Sequence, residues 1–362
     1  MGKISGKSLA EKYNDFLNPC VEVIAAGKEI PAGEGVYLER VEVISSVGME
    51  PDMAVLVYQA DKFSEQDFEQ LEKYLEVGQK MEIKTGYDDK MSRIFLGYLH
   101  EVEAVDSMQD YVEYTLICLD VKGMMKKNSV FQISGAKKAQ QILNDILKES
   151  CYADFLEKKK VSALPKELNR DCVIRGETHY DWLCSLAAHL DYEFFCGRGE
   201  LIFRKARDSG ADFLELTVEY GLQEARGTVT MTEQTGSIQV CGYNRKDEKL
   251  LGRAEWPGIP GPFGKKIKDA LGGCVLTLPD MELETGEEAA RQAEAVMSRR
   301  LGSCTRMRAV TIGIPELVPG ICAEVNAGVV CSLSGRMYVE EVRHLLDEDG
   351  YRTTAEGARI KA

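Results

Sequence analysis

Residues 174–205 read IRGETHYDWLCSLAAHLDYEFFCGRGELIFRK. Within this stretch Trp182, Leu183, Leu186, Ala187 and Leu190 fall on one side of a helix spanning 180–190, at the three- and four-residue spacing of an amphipathic helix. Two short apolar runs follow, 192–196 and 201–205, turning on Gly197, Arg198 and Gly199. The pattern predicts a helix leading into a β-hairpin. This small α+β unit divides the chain, because the residues on either side have a different character.

Upstream, residues 136–149 place Ala139, Ile142, Leu143, Ile146 and Leu147 on one helical face, and the lysine-rich 151–171, with Pro165, forms a connector. Earlier still the chain is made of short apolar runs, 21–24, 36–47 and 54–59, separated by Gly27, Pro31, Gly33, Gly48 and Pro51. Further runs at 81–85, 93–105 and 111–121 continue the series. One helix is predicted among them, over 64–77, with Ser64 as cap, Asp67 at its third position, and Phe68, Leu71 and Leu75 as its apolar stripe. Consecutive strands with a single helix imply an antiparallel barrel or sandwich, since parallel strands would need a crossover each time. At the start, Leu9, Tyr13, Phe16 and Leu17 give 8–18 a helical spacing that Pro19 stops.

Downstream the β character returns at 213–218, 227–232, 237–243 and 274–278. The stretch 256–264, WPGIPGPFG, is a loop by composition, and it is expected to form an exposed assembly loop with the lysines that follow. Thr285 and Glu288 form a capping box for a helix reaching Leu301, with Ala289, Ala293, Val296 and Met297 inward. Strands at 306–313, 321–326, 337–345 and 351–356 complete the chain. The fold class is therefore α+β, mainly β, with two β-barrel-like modules flanking a small mixed α+β region. The expected division is an N-terminal arm (1–19), a first β-barrel domain (20–125), a helical and α+β middle region (126–210), and a second β-barrel domain with an inserted loop and helix (211–362). No residue-level self-similarity between the two β modules is visible.

The 362 residues carry a formal net charge of −14, from 59 acidic against 45 basic side chains. Phosphate backbones are repelled by such a chain, so stable nucleic-acid binding is not expected. The lysine clusters at 158–160 and at Lys265, Lys266 and Lys268 read as solvated faces. No apolar run approaches the ~18 residues that would cross a bilayer, and the first residues lack the apolar core of a secretory signal. Eleven cysteines occur without a C-x-x-C pair, which fits reduced thiols packed as small apolar side chains.

Motifs that could carry chemistry fail on spacing. Gly2 to Ser8 is one spacer residue short of a phosphate-binding loop and has no preceding strand. Cys172, His179, Cys184, His189 and Cys196 are close in sequence, but 179, 184 and 189 point in different directions around one helix. Glu340 and Glu341 occupy adjacent strand positions on opposite faces. Only four histidines are present. There is no G-x-S-x-G or H-E-x-x-H, and no G-x-G-x-x-G between a strand and a helix. No catalytic, cofactor-binding or metal-ligating residue is assigned, and no cofactor is expected.

Residues 174–205 resemble the signature region of the phage late control protein D family: a Gly-Glu step, a helix with Leu and Ala inward, a Tyr-Glu-Phe-like strand, a Gly turn, then Leu-x-Phe-Arg. Residues 314–359 are similar to its closing part through Pro315, Leu317, Pro319 and Gly320, then Gly335, Tyr338, Val342 and His344, then Gly350, Tyr351 and Thr353. That family includes VgrG spike proteins and the baseplate hub proteins of contractile phages, bacteriocins and injection systems. The resemblance implies a structural, non-enzymatic hub: a homotrimer whose two related barrels per chain make a ring of six. Such a ring joins a hexameric tail tube to a trimeric spike.

The chain ends at Ala362 with no OB-fold or β-helical repeat, so the spike is expected to be a separate chain. Other implied partners are the tail tube or tube-initiator proteins and further baseplate proteins. Assembly in the bacterial cytoplasm is implied, with a mature place in a phage tail baseplate or injection-system particle. A tail-associated cell-wall hydrolase is the alternative, and it would require an acidic pair that the sequence does not single out. A transcription regulator would require a basic recognition helix, and the helices read here are acidic or neutral on their exposed sides.

Overall fold

The computed structural model describes residues 4–33, 35–62, 71–131, 137–165, 171–172, 175–208, 213–243, 249–259, 264–280, 283–328 and 334–360. A short helix α1 (Gly6–Lys12) precedes seven strands: β1 (Pro19–Ala25), β2 (Lys28–Glu29), β3 (Val36–Ser46), β4 (Met53–Asp61), β5 (Lys80–Tyr87), β6 (Lys90–Asp106) and β7 (Tyr111–Leu119). They pair antiparallel in the order β3-β4-β7-β6-β5-β1-β2. Alternation decides which face goes inward: Ala54, Leu56, Tyr58 and Ala60 of β4 all lie in the first core, opposite Leu116 and Cys118 of β7. Residues 64–70 of the helix expected over 64–77 lie outside the described residues; of the rest only 71–72 are helical and 73–77 are turn and coil, so the helix ends short of Val77, with Leu71 buried in this core.

The middle region follows as α2 (Val121–Met125), β8 (Ser129–Phe131), β9 (Lys137–Lys138), α3 (Ala139–Ile146), β10 (Lys158–Val161), β11 (Asp171–Cys172), β12 (Arg175–Thr178), α4 (His179–Leu190), β13 (Tyr192–Gly197) and β14 (Glu200–Lys205). Trp182, Leu183 and Ala187 of α4 and Ile142, Leu143 and Ile146 of α3 meet Phe194 and Phe203 of the hairpin in a second core. Residues 158–161, expected as connector, form β10, which pairs parallel with β14. Lysines at 158–160 leave it exposed, so the strand shows no apolar alternation. Lysine on an edge strand discourages further pairing.

The remainder contains β15 (Phe213–Thr217), β16 (Leu222–Val229), β17 (Ser237–Tyr243), β18 (Lys249–Glu255), α5 (Lys265–Leu271), β19 (Val275–Pro279), α6 (Gly286–Cys304), β20 (Thr305–Ile312), β21 (Cys322–Asn326), β22 (Gly335–Asp347) and β23 (Gly350–Arg359). Six of these strands pair in the order β16-β20-β23-β22-β21-β15. Between β16 and β20 a lobe is inserted, with a three-stranded sheet β18-β17-β19 and its own core with α5 and α6. Thr285 caps α6 as its sequence predicts, its side chain accepting from Glu288 N at 3.1 Å, while Glu288 returns a bond to Glu284 N at 3.0 Å.

The expected exposed loop at 256–264 is corrected. Trp256 continues the inward alternation of β18 after Ala254, is buried, and donates to Gln234 Oε1 at 3.1 Å. The lysines after it belong to α5, whose Ile267 and Leu271 complete the same core. Residues 260–263 lie outside the described residues.

The chain is mainly β, with the mixed region between two β modules in sequence. In space the modules are continuous. β3 pairs antiparallel with the second half of β22, from Glu341 opposite Ser46 to Leu346 opposite Val41, giving one 13-stranded sheet. Strand pairing therefore closes neither module into a separate barrel.

Candidate assembly sites

The fold buries its polar chemistry at three joints between modules. The first ties the start of β4 to the end of β7 and to α2. Asp120 caps α2 by accepting from Lys122 N at 3.0 Å. The Lys122 ammonium is fully buried and donates to Glu50 O at 2.6 Å, with Asp52 Oδ1 at 3.4 Å and Asp120 Oδ2 at 3.7 Å. Burial pushes the Asp120 carboxyl up to about 7, against the pull of Lys122. Asp52 also moves up, again through burial. Burial opposes the charged form of Lys122, but the two carboxylates outweigh it and hold it protonated. Two acids around one ammonium balance as a single ionised carboxylate with one retained proton.

The second joint holds the middle hairpin against the second module. Tyr338, fully buried, lies 2.7 Å from both oxygens of Glu193. Arg204 donates to Gly320 O at 2.6 Å and to Glu193 Oε2 at 3.4 Å, and Arg207 N donates to Glu193 Oε1 at 2.8 Å. Gly320 has a φ of 83°, and a Cβ there would stand 2.6 Å from the Phe195 ring. Only glycine suits both demands.

The third joint binds β5, β22, β23 and the N-terminal arm. His344 Nε2 donates to Leu317 O at 3.2 Å, which leaves Nδ1 to accept from Tyr351 Oη at 2.9 Å. Thr85 of the first module reaches Tyr351 Oη at 2.8 Å, and Tyr87 donates to Gly313 O at 2.8 Å. Tyr13 packs on the Tyr87 ring at 5.4 Å. Burial, helped by the charge of Arg198, pushes His344 down to about 3, so it is neutral and serves as a fixed hydrogen-bonding bracket.

These joints collect the residues of the family signature. Glu193, Arg204, Gly320 and Tyr338 meet in the second joint, and His344, Tyr351 and Thr353 in the third, where Thr353 Oγ1 accepts from Ile314 N at 2.9 Å. The Lys122 cluster carried no sequence signal, because an aspartate two residues before a lysine is common on surfaces.

The other candidates are dispersed. Gly2 and Lys3 lie outside the described residues, and Ser5 caps α1, accepting from Ser8 N at 3.2 Å. His179 bonds Tyr152 at 2.9 Å, His189 stands 3.7 Å from Glu288, and Cys196 is buried beside the Lys122 cluster. The Cys172 side chain lies outside the described residues. Among the described residues no three His, Cys, Asp or Glu side chains group to hold a metal. Glu340 sits at a bulge and pairs with Arg306 and Arg207, apart from exposed Glu341.

The architecture is that of phage-tail and type VI secretion proteins. Similar solved structures include the 43 kDa tail protein of prophage MuSo2 from Shewanella oneidensis, 16% identical with a TM-score of 0.69, covering 94% of this chain and 98% of that one. A tail protein from Neisseria meningitidis MC58 is 13% identical with a TM-score of 0.68, at 94% and 97% coverage. A component of the E. coli type VI secretion system is 11% identical with a TM-score of 0.60, at 94% and 77% coverage. No curated protein matches the chain. The family model described as the Alg8 N-terminal domain matches residues 18–348, and the chain belongs to that family.

Proposed function

We propose that this chain is the hub of a contractile-tail baseplate or injection system, a homotrimer that joins a hexameric tube to a separate trimeric spike. One observation carries this reading: the chain contains two β modules in which five strands follow the same order and sense, joined edge to edge through β3 and β22. Three such chains present six similar modules to a sixfold tube and a true threefold axis to a spike. The division 1–19, 20–125, 126–210 and 211–362 belongs to the same proposal.

The work is mechanical. In support, the buried titratable clusters around Lys122, Glu193 and His344 act as joints between modules. Assembly in the bacterial cytoplasm and a mature place in a tail or particle accompany this role. The test is light scattering on the chain, alone and mixed with a candidate trimeric spike protein from the same source. A complex containing three copies of the 40.3 kDa chain is expected. A chain that stays monomeric and never joins a trimeric spike would overturn the proposal.

A further inference from the structure

The two β modules repeat each other in backbone detail. The order β3-β4-β7-β6-β5 corresponds to β16-β20-β23-β22-β21, antiparallel throughout; the sixth strands differ, β1 lying antiparallel to β5 and β15 parallel to β21. A bulge between Leu99 and Glu101 of β6 matches one between Val339 and Glu341 of β22. Before each bulge the same two bonds close: Leu99 N donates to Gln79 O and Gly78 N to Leu99 O, as Val339 N does to Ile321 O and Gly320 N to Val339 O. Gly78 and Gly320 both have positive φ, 98° and 83°. Likewise Asp61 N donates to Gly35 O as Ile312 N does to Gly221 O, and those glycines have φ of 100° and 95°. The match is residue for residue over 101–106 on 341–346 and over 227–229 on 41–43, where β16 ends and the chain turns.

Within the chain, 341–346 and 41–46 are paired and join the modules. Among the described residues, their equivalents have no strand beside them on the corresponding edge. Both are open to solvent, with Val105 45%, Val229 40% and Met231 43% exposed. A free edge of this kind is a template for another strand.

We propose that residues 104–106 of one copy pair antiparallel with residues 227–229 of the next, in the register that 344–346 and 41–43 adopt inside the chain. Val105 then stands opposite Thr228, as Leu345 stands opposite Glu42. The two edges differ, so the contact runs head to tail and closes by rotation. Charge selects this pairing over like with like. The 227–229 segment, GTV, bears no charge, whereas two copies of 101–106 would crowd Glu101, Glu103 and Asp106 of one copy against those of the other. The inference rests on the trimer reading and names its interface.

Opposite residues in an antiparallel pair lie ~4.5–5.5 Å apart at Cα, within disulfide range. The Val105→Cys, Thr228→Cys double variant, co-expressed with a candidate spike protein from the same source and oxidised, is expected to give a covalent trimer on a non-reducing gel, and neither single variant is. Covalent dimers from Thr228→Cys alone would mean that the edge pairs with itself, and would overturn the proposal. A trimer by light scattering that never cross-links would overturn this interface while leaving the hub reading intact. A persistent monomer would remove both. Val105→Glu, which adds a fourth carboxylate beside Glu101, Glu103 and Asp106, is expected to weaken trimer formation at least tenfold, and unchanged assembly would also count against the pairing.

Discussion

Asp120 and Lys122 stand two residues apart at the end of β7, and with Asp52 they place two carboxyls and one ammonium out of reach of water. Such a cluster retains a proton that the unfolded chain gives up. Asp120 titrates near 7 when folded and near ~3.9 when unfolded. Its contribution to stability is therefore fully present below about pH 4 and is lost as pH rises through 7, at ~1.4 kcal/mol per unit. Asp120→Asn keeps the cap oxygen and removes the titration. Urea unfolding at pH 4.5, 6 and 7.5 should show the difference between variant and native protein shifting in the variant's favour by about 2 kcal/mol or more across that range. His344 has the opposite sign, with stability present above its unfolded value and lost as pH falls toward 3, but it is common to both proteins and cancels in the difference. A pH-independent difference would mean that Asp120 is ionised throughout.

Elements that bury one face were legible in the sequence, because alternation or a helical stripe records burial directly. The α4 stripe, the capping box of α6 and the inward residues of β4 follow from that physics. β10 was not legible, since its lysines show no alternation and its place comes from parallel pairing with β14. β18 was missed for another reason. Its inward residues are Leu250, Gly252 and Ala254, and a central glycine hides the apolar period. The repeat between modules was equally hidden, because what recurs is backbone: bulges at His100 and Glu340, and positive φ at Gly78 and Gly320. The signature residues were visible only through resemblance, and nothing local told that Glu193 would meet Tyr338. Gly252 yields a prediction for the lobe. A Cβ there would stand 2.0 Å from the Ala289 backbone of α6, so Gly252→Val must push the helix off its sheet. Hydrogen exchange is expected to lose protection over β17–β19 and α6 while β4 and β7 keep theirs. Loss spread evenly over both would show that the lobe is not a separate packing unit.

Across the whole molecule, three cores are stitched together by one sheet and shared side chains, while the fourth hangs from its side. Leu346 packs against the cores of both β modules, and Tyr98 of β6 belongs to the core of the middle region. The lobe is held by less: Arg207 donates to Ser298 O at 3.0 Å, His189 stands 3.7 Å from Glu288, and α6 touches β23 and α4 over a few residues. Local stability follows the density of such contacts, so the lobe should open first. The chain offers a direct readout because its two tryptophans lie in different cores, Trp182 in the middle region and Trp256 in the lobe. Trp182→Phe leaves a protein whose fluorescence reports the lobe alone, and Trp256→Phe one that reports the middle region. Each substitution leaves a smaller ring in a buried site, and Trp256→Phe also removes the bond to Gln234, so each is expected to cost ~1–3 kcal/mol. In urea the lobe signal is expected to change at a lower midpoint than the middle-region signal, with a smaller slope, since less surface is exposed. Exchanging the probes by circular dichroism on the same two variants controls for the cost of each substitution. Coincident curves from both tryptophans would make the chain one cooperative unit, and the lobe as firm a part of the ring as the sheet that carries it.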